Sequence, residues 1–169
     1  MQGILNTRAT ASGATDLLEK RETADAWLTP ALAEWAERTG SIPPAITVDA
    51  AGLAALRTLR EALRVYIAGD RQTARLEVAI SIVSRADGSL RTQPAGSGIG
   101  WVASAAWGAV LMAQELRTLP RLKLCRNEVC GSAFYDRSKN SSGVWHDVHV
   151  CGNAVNLRAS RARRKAMTP

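Results

Sequence analysis

The sequence contains few of the residues on which disulfide scaffolds and many catalytic sites depend: 3 cysteines, 2 histidines and 5% aromatic residues in a chain of 169. The three cysteines all lie in the last third, and they cannot form a closed set of disulfides without leaving one over. No uncharged apolar run reaches the roughly 18 residues needed to span a bilayer. The first residues also lack the basic start and apolar stretch of a signal peptide. We therefore expect a cytoplasmic protein with no membrane contact, whose cysteines bind metal or stay free.

The scarcity of catalytic patterns argues against an enzyme. Both histidines, His146 and His149, lie among the cysteines, and the sequence has neither a Ser/His/Asp order nor a separated carboxylate pair. A glycine-rich stretch, Gly96-x-Gly98-x-Gly100, precedes an apolar segment, but its spacing fits neither the dinucleotide nor the P-loop pattern. We expect no catalytic residues and interpret these glycines as a flexible turn.

Positive charge is concentrated at the C-terminal end of the chain. The formal net charge is +7, and residues 117–169 contain 11 Lys or Arg against 3 Asp or Glu. Residues 1–116 contain 11 against 12. A basic patch indicates a polyanionic partner, usually nucleic acid, although it is also typical of a solubilising tail.

Helical periodicity dominates the first two thirds of the sequence. After a short extended start, Thr29-Pro30 predicts a helix entry, because a capping hydroxyl precedes a proline at the first helical position. A second helix is predicted from about 49 to 68, with Asp49 as its N-cap and Gly69 just past its end. The arginines of that helix are interpreted as part of a solvated face: Arg57, Arg60 and Arg64.

The middle of the chain predicts one hairpin and one apolar helix. Residues 71–78 are predicted to continue as helix, and residues 79–93 then alternate around the turn dipeptide Asp87-Gly88, which is typical of a β-hairpin. A further helix, from about 99 to 119, is apolar nearly all round. We expect it to be central or to face a partner.

Four potential metal ligands stand in two pairs in the last third. Cys125-x4-Cys130 would sit on one turn, with Gly131 allowing the backbone to reverse. His146-x4-Cys151 repeats this spacing, whereas His149-x-Cys151 is tighter, so we favour His146 as the fourth ligand. Three cysteines and one histidine close a tetrahedron around Zn²⁺ and leave no open position, which predicts a structural role. In an alternative interpretation, Cys125 and Cys130 are ordinary small apolar residues.

A basic stretch follows the last ligand directly. Asn153 would cap a helix in which Arg158, Arg161 and Lys165 share one face at spacings of three and four. Such a helix suits contact with phosphates or a groove, and the alternative is a frayed, soluble terminal helix. The candidate nucleic-acid contacts are Lys139, Arg158, Arg161, Arg163, Arg164 and Lys165.

These residues resemble the CGNR zinc finger. The resemblance is carried by Cys125-x4-Cys130-Gly131, by the segment from Phe134 to Trp145, and by Cys151-Gly152-Asn153. That family joins the finger to an upstream helical region, the ABATE domain, in bacterial transcription regulators associated with stress responses. The upstream part of this chain is similar in the order of its motifs, beginning with Leu5-Asn6-Thr7. The resemblance implies an ABATE-like domain over 1–118 and a zinc finger over 119–169.

The chain departs from the family pattern at positions that bear on function. His146 stands where the family has cysteine, which exchanges one ligand for another. Ala154 replaces the arginine that gives the family its name, Asn156 replaces a lysine, and Gly143-Val144 replaces an arginine pair. Each lost phosphate contact flattens the salt dependence of DNA binding by about one unit of slope. Zinc binding is therefore better supported than sequence-specific DNA recognition.

The patterns and the resemblance together predict a mainly α (α+β) fold: a helical N-terminal domain with a small β-hairpin, followed by a zinc finger made of a β-hairpin and a helix. The leading hypothesis is a regulator whose basic end contacts DNA and whose N-terminal domain senses a small-molecule effector or forms a homodimer. Asn6, Thr7 and a tryptophan are the candidate effector-binding residues, although Asn6 equally suits hydrogen bonds that hold a buried turn. The second hypothesis is a zinc-stapled protein-interaction or RNA-binding module.

Overall fold

The computed structural model describes residues 2–10, 13–70 and 77–166. About 51% of the chain is helical and two small antiparallel hairpins are present, which confirms the predicted α+β class. The elements in chain order are α1 (Gln2–Leu5), α2 (Arg21–Thr39), α3 (Ala50–Ile67), β1 (Ile80–Ser84), β2 (Leu90–Pro94), α4 (Gly98–Glu115), β3 (Leu122–Leu124), β4 (Ala133–Tyr135) and α5 (Asn153–Ala166). The predicted helical continuation over 71–78 lies mostly outside the described residues.

The beginning of the chain differs from the prediction. The expected extended start is the short helix α1, and α2 begins at Arg21 and not at Pro30. Pro30 lies inside α2, where it cannot donate to the carbonyl of Ala26. Both residues are exposed, so water can hydrate that carbonyl and the helix continues through the proline.

Helix α3 forms where the sequence predicts it. The Asp49 carboxylate accepts a hydrogen bond from the Gly52 N–H at 2.7 Å, and Gly69 adopts a φ of 101° just after the helix. The interpretation of its arginines as solvated is wrong for two of the three, because Arg60 is 5% and Arg64 is 7% exposed. Their guanidinium groups are buried because polar partners far away in the sequence satisfy them.

The hairpin β1–β2 packs on α4. Its register pairs Ile80 with Pro94 and Ser84 with Leu90, with the turn at the predicted dipeptide. Ser104 of α4 fixes the base of the hairpin, because its hydroxyl donates to the Ala79 carbonyl at 2.6 Å and accepts from the Ala95 N–H at 2.9 Å. The hairpin is therefore held against the N-terminal half of α4.

One hydrophobic core joins the helical part to the region around the cysteines. Leu119, Leu122 and Ala133 are buried in the same cluster as Ile4 and Leu5 of α1. The predicted domain boundary between 118 and 119 stays a prediction, and buried side chains contact one another across it. Among the described residues, no helix combines the length and hydropathy that crossing a bilayer requires.

Candidate metal centre

The fold brings together the four predicted metal ligands. Their ligand atoms all lie within 4.8 Å of one another, and they belong to Cys125, Cys130, His146 and Cys151. The Nδ1 atom of His146 lies 3.3 Å from Sγ of Cys130 and 3.4 Å from Sγ of Cys151. A tetrahedral zinc ion, with sulfur at about 2.3 Å and nitrogen at about 2.0–2.1 Å, places neighbouring sulfur and nitrogen ligands about 3.6 Å apart. The four donors therefore fit one zinc ion.

The first ligand pair lies in the turn that joins β3 to β4. The N–H of Cys125 donates to the Ser132 carbonyl at 2.8 Å, and the N–H of Cys130 donates to the Asn127 carbonyl at 2.8 Å. Gly131 follows with a φ of 57°, a left-handed conformation in which a side chain would be strained. This glycine reverses the chain, as predicted, so that both thiols face the same point.

The second pair is positioned by a helix entry that begins earlier than predicted. A π-helical turn spans Val148–Gly152, and the Asp147 carboxylate caps it by accepting from the Val150 N–H at 2.9 Å. Asn153 is therefore inside a continuous helical segment and does not cap it. Asp147 takes the capping role because its charged oxygen is a strong acceptor for free N–H groups at a helix start.

Trp145 packs against this turn and restricts its sequence. A Cβ atom added to Gly152 would lie 3.2 Å from the indole Cδ1 of Trp145, closer than ordinary contact. The glycine therefore lets the tryptophan lie beside the last ligand, Cys151, which is 2% exposed. His149 is exposed and is not among the four grouped ligands.

The chemistry of the donors also suits a soft cation. Burial raises the pKa of the Cys151 thiol to about 11. Burial also raises the pKa of the Cys130 thiol, but hydrogen bonds with Ser132 and the interactions with Cys151 and Cys125 together outweigh it and place that pKa below its ordinary value. A bound zinc ion stabilises thiolates directly, so both cysteines would ligate it in the deprotonated form.

Asn127 connects the metal site to the helix that follows it. This residue is 5% exposed, and its side chain acts to lower the pKa of the Cys151 thiol. The Nη2 atom of Arg158 on α5 donates to the Asn127 side-chain oxygen. Arg158 was predicted to contact nucleic acid, but here it fixes the amide that faces a metal ligand. Such hydrogen bonds orient metal ligands and tune their basicity.

The helical part holds the turn of the first ligand pair from the other side. The Asn6 side chain binds both backbone groups of Ala133, accepting from its N–H at 2.7 Å and donating to its carbonyl at 3.0 Å. Arg64 donates to the carbonyls of Leu5 at 3.1 Å and Gly131 at 2.8 Å. These contacts tie α1 and α3 to the chain directly after Cys130.

The predicted effector-binding residues Asn6 and Thr7 thus form hydrogen bonds with other residues of the protein. Thr7 is 1% exposed, and its hydroxyl donates to the Ile4 carbonyl at 2.8 Å and accepts from Arg60 at 3.3 Å. Arg60 in turn pairs with Asp16 at 2.7 Å. This geometry favours the alternative in which Asn6 holds a turn by hydrogen bonds to backbone.

A buried ion pair organises the loop between β4 and Trp145. The Asp136 carboxylate accepts from Nζ of Lys123 at 2.7 Å, from the Gly143 N–H at 2.7 Å and from the Ser138 N–H at 2.9 Å. Lys123 also donates to the carbonyls of Ser141 and Gly143. A Cβ atom on Gly143 would lie 2.9 Å from the carboxylate. The glycine at this departure from the family pattern therefore allows the close approach of Asp136.

We expect Asp136→Asn to lower the Tm of the zinc-loaded protein at pH 7. The Lys123 ammonium, the first of several donors, holds the pKa of the Asp136 carboxyl well below its usual range. A depressed pKa stabilises the fold above the unfolded-state pKa of about 3.9, and this stabilisation is lost as the pH falls further. The Tm difference from wild type should stay constant from about pH 8 to pH 5 and shrink below about pH 4, as measured by thermal unfolding.

Asp87→Asn is the matched control for this prediction. Asp87 also has a lowered pKa, caused by hydrogen bonds from Ser89, but it is exposed in the turn of the other hairpin. Acid protonates the metal ligands and releases the ion, so each variant is compared with wild type at the same pH and the difference in Tm is the informative quantity. Equal Tm values for the two variants would contradict a structural role for the buried pair.

The remaining predicted nucleic-acid residues are exposed. Lys139 lies in the loop after β4, and the others lie on α5: Arg161, Arg163, Arg164 and Lys165. At 100° per residue, Arg158, Arg161, Arg164 and Lys165 fall within an arc of roughly 120° of the helix surface, with Arg163 on the other side. The structure therefore gathers most of these cations on one face of α5 but does not bring Lys139 onto that helix.

Sequence reasoning missed the residues that support the metal site: Asn127, Arg64 and Asp136. Each is a buried polar side chain. The partners of Arg64 are 59 and 67 positions away, so helical periodicity carries no signal for it. Asp136 lies in the segment that carries the family resemblance, and its donors Ser138 and Gly143 follow closely in the sequence, but ligand spacing does not indicate its pairing with Lys123. Asn127 had one available signal, because it stands between the two ligands of the first pair.

Comparison with known proteins finds one family that is similar to the residues around the candidate metal centre. Residues 121–164 match the model of the CGNR zinc finger. No curated protein matches the chain. The matched segment includes all four clustered ligands, so the segment that folds around the candidate metal centre is the one that is similar to a zinc finger family.

Proposed function

We propose that the chain is a non-catalytic, cytoplasmic transcription regulator in which a structural zinc ion organises a DNA-contacting end. Cys125, Cys130, His146 and Cys151 would hold the ion, and α5 would contact DNA phosphates. The ABATE-like helical part would sense a small-molecule effector. The observation that carries the proposal is that α5 continues directly from the metal centre and exposes its cations to solvent.

The geometry of α5 favours a contact dominated by phosphates. The base of the helix is fixed, because Cys151 lies in the preceding turn and Arg158 binds Asn127. Arg161 and Lys165 are exposed further along the same face. The family arginine at 154 is an alanine here, so the part of the helix nearest the metal contributes no cation. We therefore propose DNA contact through the last turns of α5, with modest sequence preference.

We expect zinc-loaded protein to bind a fluorescein-labelled DNA duplex with an affinity that falls steeply with salt. Three or four phosphate contacts give a slope of log K against log salt of about −3 and a loss of roughly 40- to 150-fold between 50 and 200 mM salt. The combined variant Arg161→Ala, Arg164→Ala, Lys165→Ala, which removes the cations that share a face with Arg158, should reduce this slope by up to about three units. Fluorescence anisotropy at several salt concentrations measures both quantities.

The matched control removes the same charge from the helical part. Lys20, Arg21 and Arg85 are exposed there, and their replacement by alanine should leave the slope unchanged. An identical slope for both triple variants, or binding that does not respond to salt, would contradict a DNA contact through α5. Measured zinc content of one ion per chain, together with such a result, would favour the second candidate.

The second candidate is a zinc-stabilised protein-interaction module. It is supported by apolar side chains that α4 and the residue after it leave exposed: Leu111 at 42%, Met112 at 44% and Leu116 at 67%. Exposed apolar patches of this kind mark protein interfaces. In this case the mass in light scattering would exceed that of one chain while duplex DNA caused no change in anisotropy.

A further inference from the structure

An open cleft separates α2 from α4 on the side of the molecule where α1 lies. Its volume is about 560 Å³, within the range of roughly 300–1,000 Å³ typical of small-molecule sites. The cleft is open to solvent, so it is a groove in the surface and not a void in the core.

Three of the chain's five tryptophans form the walls of the cleft: Trp27, Trp35 and Trp101. The rings of Trp35 and Trp101 meet edge to face, with centroids 4.8 Å apart and planes at 80°. Trp101 is 6% exposed and is held in the core, whereas the other two are half-buried. Trp27 and Trp35 therefore offer the aromatic surface that a ligand can reach, and Trp101 supports Trp35 from the core.

Beyond Trp101 and Val102, α4 presents only small side chains to the cleft. Ala105, Ala106 and Ala109 line it, and no side chain longer than a methyl group projects from these three positions. Ala109 is exposed and also lines an adjoining hollow of about 390 Å³ beneath the β1–β2 hairpin. The space between the indoles and α4 is therefore accessible from solvent.

The rim of the cleft carries little net charge. The charged residues that line it are Glu34 and Arg38, and they pair with each other at 3.2 Å across one turn of α2. Gln2 and Thr39 add uncharged hydrogen-bonding groups. A charged ligand would gain no unpaired opposite charge here, whereas a flat aromatic ring can stack on or abut the indole surfaces.

We propose that this cleft is a binding site for a neutral, flat aromatic small molecule of about two or three rings. The inference rests on the sensing role proposed for the helical part, and it moves the effector site from Asn6 and Thr7 to the three tryptophans. The cleft also borders the metal-binding end, because Gln2 of its rim donates to the Ala133 carbonyl at 3.1 Å. An occupant would therefore contact the same short helix that holds the turn after Cys130.

N-phenyl-1-naphthylamine, a neutral aromatic fluorophore, tests this site in the zinc-loaded full chain without DNA. We expect saturable binding of one molecule per chain, with excitation energy transferred from tryptophan. Ala109→Leu, which fills the cleft from α4, should weaken binding at least tenfold. Ala62→Leu is the matched control, since Ala62 is an exposed helical alanine that does not line the cleft, and it should bind as wild type.

A second variant that fills the cleft tests whether weaker binding results from misfolding of the first. Ala31→Leu narrows the cleft from α2, and circular dichroism establishes whether each variant keeps its helices. Binding that never saturates, or equal affinity in the folded Ala109→Leu, Ala31→Leu and Ala62→Leu variants, would overturn the proposal. Because DNA is absent, a failure of the DNA-binding proposal leaves this result unaffected.

Discussion

Replacement of Cys151 by serine is expected to abolish tight zinc binding. The Cys151 side chain is 2% exposed, and its Sγ lies 3.4 Å from Nδ1 of His146. A serine hydroxyl stays protonated at neutral pH, so it cannot replace the thiolate. The affinity should fall by more than the roughly 10- to 100-fold that loss of an outer hydrogen-bond partner costs. Competition with a chromophoric chelator measures the affinity.

The two histidines give a matched pair that tests the ligand set. His146→Ala removes the nitrogen that lies within 3.3–3.4 Å of two cysteine sulfurs and should weaken zinc binding as Cys151→Ser does. His149→Ala removes an exposed ring three residues away and should leave the affinity unchanged. A larger loss in His149→Ala than in His146→Ala would show that the fourth ligand is wrongly assigned.

The sequence predicts those features of the fold that depend on neighbouring residues. Helix α3 follows from its Asp49 cap and the glycine after its end, and the first hairpin follows from alternation around Asp87-Gly88. The grouping of three cysteines with His146 follows from the repeated spacing and from the preference of zinc for four soft ligands. In each case the interacting residues are a few positions apart in the sequence, or a single metal ion can bind them all.

Features that depend on distant partners could not be predicted in this way. Arg64 bonds to carbonyls 59 and 67 positions away, whereas helical periodicity assigns any arginine beside a leucine stripe to solvent. The predicted start of α2 at Pro30 is wrong for a related reason. Pro30 is typical of a first helical position, and only the exposure of Ala26 and Pro30 in the folded chain explains why the helix runs through it.

The cations of the basic C-terminal helix differ in what they contact. The sequence treats Arg158 and Arg161 as equivalent cations on one helical face, but Arg158 is bound to the buried Asn127 and Arg161 is exposed. Arg158 therefore acts on the metal site, through the amide side chain that lowers the pKa of the Cys151 thiol. The charge pattern of a helix identifies a candidate binding face, but it does not show which of the cations are already bound to other residues of the protein.

Replacement of Arg64 by methionine is expected to lower both the stability of the protein and its zinc affinity. Methionine fills similar space, but it leaves the Leu5 and Gly131 carbonyls without their donor. A buried group left unsatisfied costs about 1–3 kcal/mol, so the free energy of unfolding should fall by about 2–4 kcal/mol. Arg64 also interacts electrostatically with Cys130. A zinc ion with three thiolates carries a net negative charge, so loss of this cation should weaken zinc binding by roughly 10- to 100-fold.

Arg57→Met separates these two effects. Arg57 lies on the same helix and donates to the carbonyls of Leu18 and Glu19 at 2.6 and 2.7 Å, but it is exposed and has no hydrogen bond to the metal-binding end. Its replacement also removes a donor from a buried carbonyl, that of Leu18, and should therefore lower the stability too, but it should leave zinc affinity unchanged. Urea unfolding and chelator competition on both variants provide the two readouts. Equal zinc affinities would mean that α3 supports only the fold. A selective loss in Arg64→Met would identify Arg64 as one of the residues, with Asn6 and Gln2, through which the helical part holds the metal centre.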